Sequence, residues 1–563
     1  MKKLLRLCLC LLILSYTRPS AHAQQLPEST QVTSELDSLF NAVFSKNAPG
    51  GAVLVAKGEN IIFQQAFGLA SLELGSPMRN EHVFRLGSLT KQFTAMCILQ
   101  LVESGKLSLK DPVSKYLPDY PRGNEITIEA LLTHTAGVAN YTGLPSFTEK
   151  LKRQDLSPAA LVDLFKSQPL DYAPGTRHLY SNSGYVLLGY LIEKISGQTY
   201  SDYISEHIFK PLGMNSSGYE QGTAIVPGKI PGYRGNNGTY QQAPYLSMTL
   251  PYAAGSLYSN TADLFSWYRA LASGKVISHT NIQKAFCNYQ MPNGMSAGYG
   301  YGWETGNVQG HPSVKHTGVI NGFFTDVVYL PKEQLLVIML SNNEYIGDLD
   351  IPASKAAAIA LGKPYMFNQM QLSKAILKTY SGVYTNPVQG ERLITYQDGE
   401  LVFHVKGGGK TRLIPYAKDQ FYLEGSLNTV NFTPDNRTPD ERKDQKNAAR
   451  QKALTMTGTG ASSRWTRQGH TRNLERVRLP LQTLQSFTGK YRFGNMVFEV
   501  LLRKGALYGR VGSDEKELIP YTENKCYAKD LDATLIFNRD LSGKTIGLTK
   551  IQNSEMSAER IAN

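Results

Sequence analysis

Beyond about residue 370 the chain repeats itself, and this duplication limits its architecture more than any other feature. Tyr380-Ser-Gly-Val-Tyr384 is echoed by Phe487-Thr-Gly-Lys-Tyr491, and Gly399-Glu-Leu401 by Gly505-Ala-Leu507. LIPY at 413–416 returns at 518–521, and Phe432-Thr-Pro-Asp435 returns as Phe537-Asn-Arg-Asp540. The offset stays between 105 and 107 residues, which chance matches would not maintain. Both copies consist of short alternating apolar runs separated by glycine turns, the pattern of antiparallel strands. Each is expected to hide its own edges as a small barrel or strongly curled sheet. The expected units are 372–470, carrying a polar insertion at 437–452, and 479–560. A period this long marks a domain duplication and not a solenoid.

The preceding chain has a different rhythm. Val32, Leu36, Leu39, Phe40, Val43 and Phe44 recur at helical spacing, and Pro49-Gly50 ends that helix. Two apolar runs then flank Lys57-Gly58-Glu59-Asn60, a hairpin signature. Far downstream, FFTDVVYL and QLLVIMLSNN flank Pro331-Lys332-Glu333, and a helix is expected from Pro352 to Leu361. Helix-hairpin at one end and hairpin-helix at the other imply one antiparallel sheet built from both ends of a domain spanning 24–366. The intervening 85–315 reads as helix and loop, giving an α+β fold class.

The first 23 residues are expected to be absent from the mature protein. Lys2, Lys3 and Arg6 precede the apolar run Leu7–Leu14, and Ala21-His22-Ala23 supplies a small-residue cleavage site, the pattern of a secretory signal peptide. Export to the periplasm or the medium follows, with no membrane span after cleavage. Removing Lys2, Lys3, Arg6 and Arg18 lowers the formal charge from +13 to +9. Part of the remaining excess sits at Arg464, Arg467, Arg472, Arg476 and Arg478, read as a solvated linker or surface. No nucleic-acid fold signature accompanies it, so no nucleic-acid partner is expected. Cys97, Cys287 and Cys526 remain, too few and too scattered for a stapled scaffold. With no C-x-x-C or H-E-x-x-H, neither a metal site nor a cofactor is expected.

The chemistry-bearing stretch begins at FRLGSLTKQFTAMCILQLVESGKL, where Ser88-Leu-Thr-Lys91 opens a run apolar enough to be a buried helix ending at Gly105. Three residues is nearly one helical turn, so Ser88 and Lys91 face the same way. An amine one turn from a hydroxyl can accept its proton and make a nucleophile of it. Alone, the pattern means little. S-x-x-K is expected about twice by chance in a chain this long, and it recurs at Ser513–Lys516, read as a charged turn. Tyr180-Ser181-Asn182 has company too: Y-x-N occurs again at Tyr258–Asn260, where Asn260 or Thr261 reads as a helix N-cap, and at Tyr384–Asn386 within a β repeat. His316-Thr317-Gly318 has no second copy. Taken singly, Ser88 reads as an N-cap, Tyr180 as a core aromatic and His316 as a surface strand residue.

In this order the three motifs resemble the serine β-lactamase and penicillin-recognising hydrolase family, most closely its class C, D-aminopeptidase and esterase-like branch. Residues 32–366 share the resemblance, and IEALLTHTAGV (128–138), YAPGTRHLYSNSGYVLLGYLIEKISG (172–197), HIFKPLGM (207–214) and PYAAGSLYSNTADLFSW (251–267) extend it. It implies a β-lactamase/transpeptidase-like fold and an acyl-enzyme mechanism. Ser88 would be the acylated nucleophile, Lys91 the assisting amine and Tyr180 the proton exchanger. Asn182 would orient Lys91 and substrate, with His316, Thr317 and Gly318 on a strand beside the serine. Gly318 would let substrate approach that strand, and the backbone N–H groups of Ser88 and Val319 would form the oxyanion hole. His134 and His178, in family-like loops, are read as structural. The β repeats resemble the lipocalin-like accessory domains of some members.

Two positions depart from the family pattern. Lysine often stands where His316 is, and Ala136 replaces a common serine. A histidine with pKa near 6.5 is mostly neutral at pH 7, which weakens carboxylate recognition. If a protonated His316 were required, the rate would be favoured by acid. The expected activity is hydrolysis of amide or ester bonds in D-amino-acid peptide, ester or β-lactam-like substrates. The alternatives are a sensor or penicillin-binding protein that acylates without turnover or merely holds cell-wall fragments, and a chain whose β repeats do the binding.

Overall fold

The two ends of the first domain meet in one antiparallel sheet. In the computed structural model, which describes residues 29–561 apart from 237, 387–389, 398, 406–408, 435–451, 458–462, 468–476, 495, 529–533, 541–542 and 552–554, strand β1 (Gly51–Lys57) lies between β2 (Asn60–Phe67) and β6 (Leu335–Ser341). Its register with β6 runs from Gly51 opposite Ser341 to Lys57 opposite Leu335. Three more strands complete the sheet: β3 (Glu304–Val308), β4 (His311–Ile320) and β5 (Phe323–Leu330), in the order β3-β4-β5-β6-β1-β2. The proposed signal segment 1–23 and the polar insertion up to residue 451 lie outside the described residues.

Both faces of the central strands are covered, which is why β1 and β6 read as continuous apolar runs instead of alternating ones. Helices α1 (Ser29–Val43) and α4 (Asp350–Ala360) pack on one face, joining Leu36, Phe40 and Phe44 to Val53, Val55, Val337 and Met339. The other face carries the larger core, centred on helix α2 (Thr90–Glu103). Ten consecutive residues of α2, Thr90–Leu99, are buried, so this helix is enclosed on all sides. Gly105, at φ +70°, ends it where the sequence predicts. Helix α3 (Asn182–Ser196) packs beside α2 in the same core.

Each β repeat is a closed eight-stranded barrel. The first runs from Gly382–Asn386 to Ser463–Arg467 and the second from Gly489–Phe493 to Glu555–Ile561, the first and last strands pairing in each. Closure removes the open edges that a small sheet would otherwise expose. The duplication is visible in its bonds: Tyr384 donates to the Tyr380 carbonyl at 2.8 Å, and Tyr491 to the Phe487 carbonyl at 2.7 Å. Aromatic side chains fill both cores, among them Phe421, Phe432 and Trp465 in one and Phe487, Tyr491 and Phe537 in the other.

Two secondary readings also meet the structure. Arg464 and Arg467 lie on the last strand of the first barrel, so that part of the basic stretch is barrel wall and not linker. Ser513-Asp-Glu-Lys516 forms the turn and start of a barrel strand, as its charge suggests. Cys97, Cys287 and Cys526 are all free thiols. Among the described residues, no helix is long and apolar enough to cross a membrane.

Candidate active site

Ser88 does not cap a helix. It sits in a 3-10 turn, Gly87–Leu89, and α2 begins after it at Thr90 with no side-chain cap at its N-terminus. This turn is clamped from two directions. The Thr325 hydroxyl donates to the Leu86 carbonyl at 2.9 Å, and the Leu86 N–H donates to the Leu257 carbonyl at 2.8 Å. Gly87, at φ +54°, lies against β4 so closely that a Cβ there would come within 3.0 Å of the Val319 nitrogen. Gly318 answers it from the strand, where a Cβ would sit 2.0 Å from the Leu86 carbonyl oxygen. The protein's own backbone therefore already demands a glycine at this position.

Lys91, in the first turn of α2, is fully buried. Its Nζ lies 3.1 Å from Ser88 Oγ, 2.9 Å from Asn182 Oδ1 and 2.8 Å from the Ala254 carbonyl oxygen. Asn182 opens α3, which carries its amide into α2's first turn. Burial holds the amine well below the usual lysine range, because the charged form loses its water. A neutral amine has two N–H donors and one lone pair. Asn182 and Ala254 can accept the first two, which leaves the lone pair to receive a proton from Ser88.

Tyr180 approaches from the segment before α3, its ring centre 4.7 Å from Lys91 Nζ and its side chain lining the same cavity as Ser88. Burial raises this phenol above the usual tyrosine range, and the nearby Ser88 hydroxyl only partly offsets that. It is therefore neutral near pH 7. His134 supports it from behind. That residue, at φ +56°, accepts the Ser181 N–H at Nδ1 (3.1 Å) and packs its ring 4.4 Å from the Tyr180 ring. This is the structural part the sequence assigns to His134.

His316 projects from β4 into the same cluster and is almost completely buried. Its Nδ1 lies 2.6 Å from the Thr317 carbonyl oxygen and must donate there, so Nε2 accepts the Tyr299 hydroxyl at 2.9 Å. Burial depresses its pKa to about 3, helped by the Lys315 charge and, whenever Lys91 is protonated, by that one too. An acid-favoured rate driven by a protonated His316 is accordingly corrected: the ring is neutral, because leaving water costs the cation more than its neighbours return. Tyr299 escaped the sequence reading. Its only signal was the glycine-aromatic run GYGYGW at 298–303, and nothing local in that run points to His316.

A cavity of about 520 Å³ opens where these groups meet. Ser88, Tyr180, His316, Thr317 and Val319 line one part, and His178, Gly298, Tyr299 and Glu304 the rest. The β3–β4 register ends at Glu304 opposite Lys315, so beyond Lys315 the strand carrying His316, Thr317, Gly318 and Val319 has no β3 partner. That bare edge beside Ser88 can pair with an extended ligand. Among the described residues, no group of three or more His, Cys, Asp or Glu could hold a metal ion.

Comparison with known proteins follows the same outline. Residues 23–361 match the family described as Beta-lactamase. The chain is 30% identical over 425 residues to Penicillin-binding protein 4* of Bacillus subtilis, covering 71% of this chain and 93% of that protein. It is 31% identical over 326 residues to the putative penicillin-binding protein PbpX of the same organism, covering 57% of this chain and 77% of the relative. Among solved structures, a D-stereospecific amidohydrolase from Streptomyces superposes with a TM-score of 0.51 at 26% identity, covering 57% of this chain and 98% of that one.

Proposed function

This chain belongs to the β-lactamase family and is a serine hydrolase, and on that footing we propose that it cleaves amide or ester bonds through an acyl-enzyme formed on Ser88. The observation that carries the assignment is the placement of Lys91 Nζ, buried, 3.1 Å from Ser88 Oγ and shared with Asn182 and the Ala254 carbonyl. Ser88 Oγ attacks the substrate carbonyl carbon while its proton passes to the neutral Lys91 amine. The oxyanion is held by the backbone N–H groups of Ser88 and Val319. The bond to the leaving amine or alcohol then breaks, and the Tyr180 phenol supplies the departing proton, replenished from Lys91. Water attacks the acyl carbon, gives a proton to the same pair, and Ser88 leaves with its hydrogen restored.

A neutral His316 gives the site no permanent cation beside Thr317, which favours amides, esters and D-amino-acid peptides over substrates recognised through a carboxylate. The amidohydrolase likeness supports the same class. No cofactor or metal enters these steps. Export through residues 1–23, to the periplasm or the medium, fits the similarity to penicillin-binding proteins. We assign catalysis to 24–366 and an accessory, lipocalin-like role to the barrels at 372–470 and 479–560.

The names of the two relatives favour one competing reading, a binding protein that is acylated without turnover. Intact-mass analysis separates the two: a hydrolase sheds its adduct within minutes, and a sensor keeps it. Ser88→Ala should abolish hydrolysis of p-nitrophenyl acetate and labelling by a serine-directed probe while leaving the folded spectrum intact. Labelling of the mutant at the parent's rate would refute the assignment.

A further inference from the structure

The bare edge of β4 ends at a carboxylate. Glu304, the first residue of β3, lines the same cavity as Ser88 and is half-buried. Among the described residues its carboxylate forms no hydrogen bond or ion pair, its backbone alone being paired with Lys315 across the ladder. Lys315, directly across the strand pair, is engaged instead by Asp350 at 2.7 Å. The cavity lining contains no lysine or arginine, and its histidines, His178 and His316, are both held below their usual range by burial. A carboxylate withdrawn from water without a partner is costly unless something completes it. Burial indeed pushes the Glu304 carboxyl above its usual range, against the pull of Lys315. It shares that cavity wall with Tyr180 and Tyr299. Because the mechanism above turns Tyr180 toward the departing group, Glu304 is assigned to the leaving-group side on that reading.

We infer that Glu304 is a specificity-determining residue that receives a cationic ammonium group carried on the leaving-group side of the substrate. The inference rests on the hydrolase reading for which end of the substrate lies there, but binding can test it without turnover. In the site as built, an ammonium would meet the carboxylate left unpaired in the wall, whereas an anionic leaving group would meet that charge with no cation in the lining to offset it.

The test compares acetylthiocholine with its uncharged carbon isostere, 3,3-dimethylbutyl thioacetate. Calorimetry on full-length Ser88→Ala protein should show the cation bound about five- to tenfold more tightly, a preference typical of a partly desolvated charge pair. Adding Glu304→Gln, which keeps the side chain's shape, should bring the ratio close to one. Because the ratio is taken within one protein sample, loss of folded material cancels. In parallel, the kcat/KM ratio for the two thioesters in otherwise unmodified protein should fall by the same factor on Glu304→Gln. Equal affinities, no binding of the cation, or a preference that survives Glu304→Gln would each overturn the inference. Turnover of p-nitrophenyl acetate by the parent, measured separately, reports on the hydrolase reading alone.

Discussion

The Tyr299 hydroxyl donates to His316 Nε2 at 2.9 Å, and His316 Nδ1 donates in turn to the Thr317 carbonyl at 2.6 Å. Both ring nitrogens are therefore engaged in a single neutral tautomer. Tyr299→Phe should leave Nε2 buried and unpaired at a cost of about 1–3 kcal/mol in stability. Denaturant unfolding of parent and variant would check this; an unchanged stability would show that the Tyr299 hydroxyl is not needed to satisfy the buried ring.

The rate should respond to pH through Lys91 and not through His316. The amine works as a base only when deprotonated, so kcat/KM for a neutral ester should climb with pH along an acid limb whose midpoint lies below the ordinary lysine value. Burial of Tyr180 postpones any loss from phenol ionisation beyond the usual tyrosine range. His316→Gln should lower the rate but keep the limb. If the limb disappears with that substitution, the titrating base has been misidentified.

Stability should fall with acid partly because of the same buried ring. His316 titrates near 6.5 when unfolded and at about 3 when folded, so between those values the unfolded chain binds the extra proton. Its contribution is complete above pH 6.5 and is lost as pH drops, by about 1.4 kcal/mol per pH unit. Asp326, whose carboxyl is raised by burial, acts with the opposite sign but is common to parent and variant. Urea unfolding at pH 6 and pH 4 should therefore show a stability loss about 2–3 kcal/mol smaller in His316→Gln than in the parent.

Gly318→Ala tests the contact between the strand and the serine turn. The added methyl would meet the Leu86 oxygen at 2.0 Å and Thr325 Oγ1 at 2.4 Å, and a backbone carbonyl cannot rotate away as a side chain can. A loss of about 1–3 kcal/mol in stability is expected from the overpacking. Displacing Ser88 from the oxyanion donors should cost kcat/KM about 10²-fold. Parent-like kinetics in the alanine variant would show that the turn tolerates displacement.

Legibility from sequence followed the range of each interaction. The duplication predicted paired β units, and the structure closes each as an eight-stranded barrel, with the equivalent bonds of Tyr384 and Tyr491 in place. Buried α2 was visible as an apolar run, and the hairpins around Gly58 and Lys332 as strand pairs, because alternation and turn residues are local signals. Asn260 caps its helix as its spacing suggests, accepting the Asp263 N–H at 2.9 Å. By contrast, Tyr299 and Glu304 carried no motif. What they do depends on β4 arriving beside them from the next hairpin arm, which spacing along their own segment does not encode.

What the sequence by itself determined was the pairing of Ser88 with Lys91, since a spacing of three keeps both on one side of a 3-10 turn running into a helix, and the division into a mixed domain followed by two copies of a β unit. What only the tertiary structure decided was their electrical state. Whether Lys91 is an amine, His316 a neutral ring and Glu304 a carboxylate awaiting a partner depends on how much water each has lost, and that is set by strands and loops brought together from segments tens to hundreds of residues apart.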